Sequence, residues 1–92
     1  MKPLVPIVMG SKSDLGHGQA VATALTDFGI ESEIRVASAH KAAAYVLDLL
    51  AAYEADPRPK VYVTIAGRSN ALSGLVDGNV AAPVIACPPY SD

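Results

Sequence analysis

The sequence predicts an α/β fold built on one parallel sheet, and two observations support this prediction. Four short apolar runs alternate with three segments of helical periodicity, and a polar loop follows each apolar run. Strands that alternate with helices form a parallel sheet joined by right-handed crossovers. The order βαβαβαβ therefore predicts a flavodoxin-like, three-layer αβα sandwich. Since such a sheet normally has a fifth strand and a closing helix, we expect residues 1–92 to form a single incomplete domain that lacks these C-terminal elements.

The first strand and the first helix come from the amino-terminal third of the chain. Residues 4–9 form an apolar run that predicts a buried strand, although Pro6 cannot donate to a strand ladder. Ser13 or Asp14 then provides the N-cap of a helix that ends at Gly29. The predicted apolar face of this helix consists of Val21, Ala24, Leu25 and Phe28.

The middle of the chain predicts a strand near the edge of the sheet and a second helix. Residues 30–37 alternate apolar side chains with the charged Glu33 and Arg35, so one face of this strand is expected to be more exposed to solvent. Residues 42–54 are helical, and the Asp-Pro-Arg-Pro sequence at 56–59 ends the helix. The apolar side of the second helix consists of Val46, Leu47, Leu50 and Tyr53.

The last third predicts two strands around a short helix. Residues 60–66 are rich in β-branched side chains and give the clearest strand of the chain. Residues 70–77 form a third helix, and residues 83–87 form a fourth strand. The side chains of the third helix that face inward are Leu72, Leu75 and Val76.

The composition excludes several classes of protein. The net charge is −2 and no block of Lys and Arg is present, which argues against binding to a nucleic-acid backbone. No apolar run is long enough for a transmembrane helix, and the Pro-broken start is too short for a signal peptide, so we expect a cytoplasmic protein. One cysteine and two histidines without a carboxylate at ligand spacing predict neither an internal disulfide nor a metal site.

The four polar loops are expected to meet, because the carboxyl ends of parallel strands lie at one edge of the sheet and ligands bind there. Together they would supply hydroxyls, glycine backbone, cations, one aspartate and one histidine. That set suits a phosphorylated small molecule and one proton transfer. The loops are residues 10–14, 38–41, 67–70 and 88–92.

The first loop combines features of a phosphate site. Gly10 allows close backbone approach, Ser11 and Ser13 offer hydroxyls, and the helix that follows offers free N–H groups. Asp14 would repel a phosphate, so we expect its carboxylate to accept a hydrogen bond from a ribose hydroxyl. The alternative is a plain helix cap beside a solvated Lys12.

The second loop offers a proton-transfer group. His40 can give or take a proton at neutral pH, and the alternative is a histidine satisfied by backbone groups. Lys41 either pairs with a phosphate or is a surface lysine. The other histidine, His17, is typical of a solvated helix residue, and the alternative is a role in the site. Cys87 ends an apolar strand and is expected to be a small buried apolar residue. A role as nucleophile is disfavoured, because nothing beside it in sequence would activate its thiol.

The third loop follows the clearest strand. Gly67 permits backbone approach, and Ser69 and Asn70 either cap the third helix or contact a ligand. Arg68 either contacts the ligand or forms a salt bridge between subunits.

The chain contains three specific motifs: Met-Gly-Ser-Lys-Ser-Asp-Leu-Gly-His at 9–17, Ser-Ala-His-Lys at 38–41 and Ala-Gly-Arg-Ser-Asn-Ala-Leu-Ser-Gly at 66–74. In this order and spacing they resemble the phosphoribosylaminoimidazole carboxylases of purine biosynthesis. Lys41 and the sequence Arg-Ser-Asn resemble the branch that uses CO2 directly, whereas the mutase branch has Ser-Ala-His-Arg and a histidine in the third loop.

The resemblance implies reversible carboxylation of 5-aminoimidazole ribonucleotide by CO2, without ATP, biotin, metal or other cofactor. It implies that His40 moves the proton on the ring carbon, and that the protein is a homo-octamer with active sites between subunits. Its small-molecule partners would be the ribonucleotide and CO2. Two alternatives stay open: a non-catalytic module that binds the ribonucleotide, and the mutase. The implied substrate contacts are Ser11, Ser13 and Lys41 for phosphate, Asp14 for ribose, Ser38 for the base, and Gly67, Ser69, Asn70 and Ala71 for CO2.

Overall fold

The computed structural model describes residues 2–38, 43–66 and 71–87. Strands and helices alternate along these residues, as the apolar pattern predicts. The strands are β1 (Leu4–Met9), β2 (Glu31–Val36), β3 (Tyr62–Ile65) and β4 (Val84–Ala86). The helices are α1 (Leu15–Asp27), α2 (Ala43–Ala55) and α3 (Ala71–Asp77), and a 3-10 turn at Lys12–Asp14 precedes α1.

The four strands form one parallel sheet in the order β2-β1-β3-β4. This is the order of a flavodoxin-like sheet, so the predicted fold class is confirmed. Strand β2 lies at an edge, as its alternating charges indicate. Strands β1 and β3 lie in the centre, and every residue of both is buried.

Proline is accommodated in the central strand because the ladder to β3 is interrupted there. Leu4 forms an isolated bridge to Lys60, and regular pairing with β3 starts at Ile7. Pro6 lies between these two points and pairs in register with Glu33 of β2. The missing N–H of Pro6 therefore coincides with a gap in the ladder to β3.

The two faces of the sheet carry separate apolar clusters, which gives the three layers. Even-numbered residues of β1, such as Leu4 and Val8, pack against α2 and α3. Odd-numbered residues of β1, such as Ile7 and Met9, pack against α1. This alternation is the two-residue period of a strand that is buried on both faces.

The predicted helix faces are correct in part. Val46, Leu50 and Tyr53 of α2 are buried, but Leu47 is 41% exposed. On α1, the side chain of Phe28 is 81% exposed, so its predicted place on the apolar face is wrong. Phe28 is the C-cap of α1 rather than part of the helix, and its backbone angles, φ −93° and ψ 6°, lie outside the helical region.

The predicted end of α1 at glycine is confirmed. Gly29 has a φ of 75°, a conformation that glycine adopts without strain. Its N–H donates to the carbonyl of Thr26, and the N–H of Ile30 donates to that of Leu25, both at 2.9 Å. These bonds satisfy the last carbonyls of α1 and turn the chain into β2.

A hydrogen-bonded cluster of charged groups links the starts of β1 and β2 at the amino edge of the sheet. The Arg58 guanidinium donates to the carbonyls of Lys2 and Pro3 at 2.8 and 3.1 Å, and to both carboxylate oxygens of Glu31 at 3.1 Å. The hydrogen bond and charge of Arg58 lower the pKa of Glu31. This network lies opposite the edge where the polar loops begin, so it stabilises the fold without occupying the candidate site.

Candidate functional site

The carboxyl ends of β1, β2 and β3 lie side by side. The N–H of Gly10 donates to the carbonyl of Ile65 at 2.9 Å, just beyond the end of β1. On the other side, the N–H of Ala37 donates to the carbonyl of Met9 at 2.7 Å. The loops that follow these three strands therefore start from one edge of the sheet, at the point where the strand order reverses.

The first loop has a defined local structure. Ser11 is the N-cap of the 3-10 turn, and its Oγ accepts a hydrogen bond from the N–H of Ser13 at 3.2 Å. The two hydroxyl oxygens lie 2.9 Å apart, and both serines are exposed. The turn thus presents two adjacent hydroxyls at the carboxyl edge, directly before α1.

Asp14 occupies the N-cap position of α1, but its side chain makes no capping hydrogen bond to the helix. The capping role that the sequence allowed to Ser13 or Asp14 is taken by Ser11, on the preceding 3-10 turn. Asp14 is half-buried at this edge. Asp14 follows the two serines directly in the chain, and its carboxylate does not have the capping role that a helix N-cap normally has.

The first helix is held close to β1 at a glycine. A Cβ on Gly18 would overlap Sδ of Met9, whose side chain is completely buried. An added Cβ at this position would therefore require the Met9 side chain or α1 to shift. A Cβ on Gly10 would instead make ordinary contacts, 3.8 Å from Cβ of Ala66, so protein packing alone does not require glycine there.

The structure places part of the predicted site. Ser11, Ser13 and Asp14 follow β1, Ser38 lies next to the buried Ala37 after β2, and both Ser38 and Ala71 are partly exposed. Ala71 is the first residue of α3. The other predicted site residues lie outside the described residues, and these are His40, Lys41, Gly67, Ser69 and Asn70, together with Arg68 and the loop 88–92.

Two residues meet that the sequence did not connect. Nε2 of His17, in the first turn of α1, lies 3.2 Å from the carbonyl oxygen of Cys87 and 3.7 Å from its Sγ. The expectation that His17 is a solvated helix residue is therefore wrong, since its ring contacts the chain that leaves β4. Seventy positions separate the two residues, so only the parallel topology, which brings the start of α1 near the end of β4, could have indicated the contact.

The described ranges hold neither a candidate metal site nor a membrane-spanning helix. Residues 2–38, 43–66 and 71–87 contain no cluster of three or more His, Cys, Asp or Glu side chains that could hold a metal ion. No helix in the same part of the chain is long and apolar enough to cross a membrane.

The fold and the loop sequences agree with one family of proteins. The AIR carboxylase family matches residues 4–92. Among curated proteins, the chain is 61% identical over 92 residues to a phosphoribosylaminoimidazole carboxylase of Treponema denticola. The matched region is 100% of this chain and 58% of that protein. The chain is also 56% identical over 86 residues to a phosphoribosylaminoimidazole carboxylase of Archaeoglobus fulgidus. That matched region is 94% of this chain and 47% of that protein.

A solved structure gives the same result for the fold. The crystal structure of Treponema denticola PurE superposes with a TM-score of 0.97 at 60% identity, over 99% of this chain and 58% of that one. The chain thus spans somewhat more than half the length of the Treponema protein that it matches. With a family match over nearly all of its residues, the chain belongs to the AIR carboxylase family.

Proposed function

We propose that the protein catalyses the reversible carboxylation of 5-aminoimidazole ribonucleotide by CO2 to give 4-carboxy-5-aminoimidazole ribonucleotide. The observation that carries this proposal is the 61% identity, over the whole chain, to a relative named phosphoribosylaminoimidazole carboxylase. The reaction would make the protein a lyase of purine biosynthesis. A homo-octameric assembly and a cytoplasmic location belong to the same proposal.

The serine turn, which is the 3-10 turn with its cap at residues 11–14, is the proposed binding site of the ribonucleotide phosphate. Ser11 and Ser13 present adjacent hydroxyls, 2.9 Å apart, in front of a helix N-terminus, which favours an anion. Lys41 would add a positive charge. The carboxylate of Asp14, which caps no helix, would accept a hydrogen bond from a ribose hydroxyl.

The ring and CO2 would bind on either side of the end of β1. Ser38, which follows β2, would line the pocket of the imidazole. The loop after β3 would surround CO2 through its hydroxyl and backbone donors, and its proposed residues are Gly67, Ser69, Asn70 and Ala71. A small neutral molecule needs a tight, dry pocket, and N–H donors stabilise the carboxylate as it forms.

The proposed chemistry needs one proton transfer and no cofactor. The exocyclic amino group makes C4 of the imidazole an enamine-like nucleophile, and C4 forms a carbon–carbon bond with CO2. The ring carbon then carries both a carboxylate and a proton. His40 would remove this proton, which restores the aromatic ring, and would return it when the reaction runs backwards.

The test uses the protein at its native length. In His40→Asn, incorporation of labelled CO2 into the ribonucleotide should be abolished, while calorimetric titration should show that ribonucleotide binding is largely kept. Undiminished turnover would remove His40 from the mechanism. Binding without turnover in the unaltered protein would favour the non-catalytic ribonucleotide-binding module instead.

The same preparation separates the direct carboxylase from the mutase. We expect product from 5-aminoimidazole ribonucleotide and CO2, because Lys41 and the sequence Arg68, Ser69, Asn70 resemble the direct branch. Conversion of N5-carboxyaminoimidazole ribonucleotide without exchange with free CO2 would identify the mutase. In both assays Gln19→Ala, an exposed change on α1, serves as the control variant.

A further inference from the structure

Gly10 lies at the centre of the carboxyl edge, between the end of β1 and the serine turn. Its N–H donates to the carbonyl of Ile65 at 2.9 Å, on the side of β3. On the side of β2, the carbonyl of the preceding Met9 accepts from the N–H of Ala37 at 2.7 Å. Gly10 is half-buried, so a ligand bound at this edge would meet an ordered backbone there.

Neither the backbone conformation nor the described packing accounts for glycine at position 10. Among the described glycines, only Gly29 has a positive φ, the conformation that favours glycine. A Cβ at position 10 would lie 3.8 Å from Cβ of Ala66 and 3.9 Å from the carbonyl oxygen of Ile65, which are ordinary contact distances. Because glycine loses more conformational freedom on folding than alanine does, its presence here needs another cause.

The side chain that is absent at position 10 would project towards α2 and α3. Alternate residues of a strand face the same side of the sheet, and Val8 packs in the cluster under α2 and α3. Ala66, whose Cβ would be the nearest neighbour of a Cβ at position 10, packs against the same cluster. The open space at Gly10 is therefore on the α2 and α3 side of the edge.

The proposed contacts of the ring and of CO2 lie on that same side, whereas the proposed phosphate contacts do not. Ser38 precedes α2, and Ala71 is the first residue of α3. Ser11 and Ser13 precede α1, which packs on the opposite face of the sheet. A ribonucleotide with its phosphate at the serine turn must therefore cross the end of β1, and Gly10 lies on that path.

We propose that Gly10 is a specificity-determining residue, because the imidazole ring of the ribonucleotide lies against its backbone in the space that a side chain would fill. This inference rests on the proposed function. The N–H of Gly10 is already bonded to Ile65, so the residue contributes shape and van der Waals contact rather than an N–H donor. A ligand that has the sugar phosphate but no ring does not need this space.

The experiment is calorimetric titration of the native-length protein with 5-aminoimidazole ribonucleotide and with ribose 5-phosphate. Gly10→Ala should weaken ribonucleotide binding by about tenfold or more, because the added methyl group overlaps the ring. Binding of ribose 5-phosphate should change by less than about threefold. The matched control is Gly74→Ala, at an exposed glycine of α3 where a Cβ meets no described atom within 4 Å, and it should leave both affinities unchanged.

Thermal denaturation of the unliganded protein separates this role from packing. Gly10→Ala should denature at the same temperature as the unaltered protein or higher, because alanine restricts the unfolded chain. A lower denaturation temperature, or failure to fold, would show that packing requires the glycine and would overturn the proposal. Unchanged ribonucleotide affinity, or an equal loss of affinity for both ligands, would also overturn it.

The unaltered protein distinguishes failure of this inference from failure of the proposed function. Ribonucleotide binding that Gly10→Ala leaves unchanged would remove only the role of Gly10. Absence of ribonucleotide binding in the unaltered protein would refute the proposed function, and this inference with it.

Discussion

The rings of Tyr53 and Tyr62 pack edge to face, with their centroids 6.2 Å apart and their planes at 84°. This contact joins α2 to the central strand β3. Each phenol also donates to a carboxylate: Tyr53 to Glu33 at 2.8 Å and Tyr62 to Glu54 at 2.7 Å. The two tyrosines therefore connect the buried apolar cluster under α2 to the carboxylates of Glu33 and Glu54 at the margin of that cluster.

The first prediction follows from the protonation of these phenols. Burial, and then the hydrogen bonds to Glu33 and Glu54, raise the pKa of Tyr53 and of Tyr62. The fold thus favours the neutral phenols. Their contribution to the free energy of unfolding is fully present below the usual tyrosine pKa of about 10, and it is lost as the pH rises above that value. The free energy of unfolding, measured by denaturant titration, should fall above that pH.

The phenylalanine variants test this assignment. In Tyr53→Phe and Tyr62→Phe the alkaline fall in the free energy of unfolding should be shallower than in the unaltered protein, because one ionising group is gone. The double variant should be shallower still. An unchanged alkaline slope in the double variant would show that other groups control unfolding at high pH.

The second prediction concerns the acid side of the stability profile. Glu54 accepts from the N–H of Ala81 at 2.9 Å and from the hydroxyl of Tyr62 at 2.7 Å. The hydrogen bond from Ala81, followed by that from Tyr62, lowers the pKa of Glu54. The fold therefore favours the carboxylate, which stabilises it above the usual glutamate pKa of about 4.3, and this contribution is lost as pH falls through the lowered value.

The matching variant is Glu54→Gln. It should lower the free energy of unfolding at neutral pH by roughly 0.5–1 kcal/mol, since the group is exposed and its hydrogen bonds are screened by water. It should also flatten the acid limb of the profile. Asp48→Asn, an exposed change on the same helix, is the control. A larger loss in the control than in Glu54→Gln would contradict the assignment.

The third prediction tests the approach of α1 to β1. Gly18→Ala places a Cβ against the buried Met9, so Met9 or the helix must move. We expect a loss of about 1–2 kcal/mol after the better helix propensity of alanine is subtracted. In Gly16→Ala a Cβ meets no described atom within 4 Å, and stability should stay equal or rise. Thermal denaturation measures the stability of both variants. Equal changes in stability for Gly18→Ala and Gly16→Ala would contradict the close approach of α1 to Met9.

The sequence predicts the alternation of strands and helices along the chain and most of the core, because these depend on local apolar patterns. Periodicity identifies α1 but not the point where Phe28 leaves the helix, since that depends on the turn at Gly29. The rule against proline in a central strand fails to describe Pro6, because the ladder to β3 has a gap there.

Contacts between distant residues are the part that the sequence does not reveal. The pattern places the serine loop correctly, because it follows β1 directly. It gives no signal for the pairing of His17 with Cys87, or of Glu54 with Tyr62 and Ala81, since each pair is fixed by how the helices lie on the sheet. Side chains joined across layers are therefore found only from the structure.

The fourth prediction concerns the exposed end of α1. Phe28 is 81% exposed, so Phe28→Ser should change the free energy of unfolding by no more than about 0.5 kcal/mol. Leu25 packs against the cluster under α1, and Leu25→Ala should cost about 1–3 kcal/mol. Denaturant titration of the two variants gives the comparison. A cost for Phe28→Ser as large as that for Leu25→Ala would show that the Phe28 ring is packed in solution.

The fifth prediction separates the structural and ligand-binding roles of the serine turn. Only Ser11 caps the turn, since its Oγ accepts from the N–H of Ser13. Ser11→Ala should therefore lower stability by about 1 kcal/mol and also weaken ribonucleotide binding. Ser13→Ala keeps the cap, so its stability should change by less than about 0.5 kcal/mol, because the residue is exposed.

Binding is the measurement that decides the role of Ser13. If its hydroxyl donates to the phosphate, Ser13→Ala should weaken ribonucleotide binding by about tenfold, as expected for a hydrogen bond to a charged group. Calorimetric titration on the native-length protein measures the affinity, and thermal denaturation of the same samples confirms that the turn is intact. Unchanged affinity in Ser13→Ala with reduced stability in Ser11→Ala would mean that the turn only caps the helix, and the phosphate would then have to bind elsewhere on the carboxyl edge.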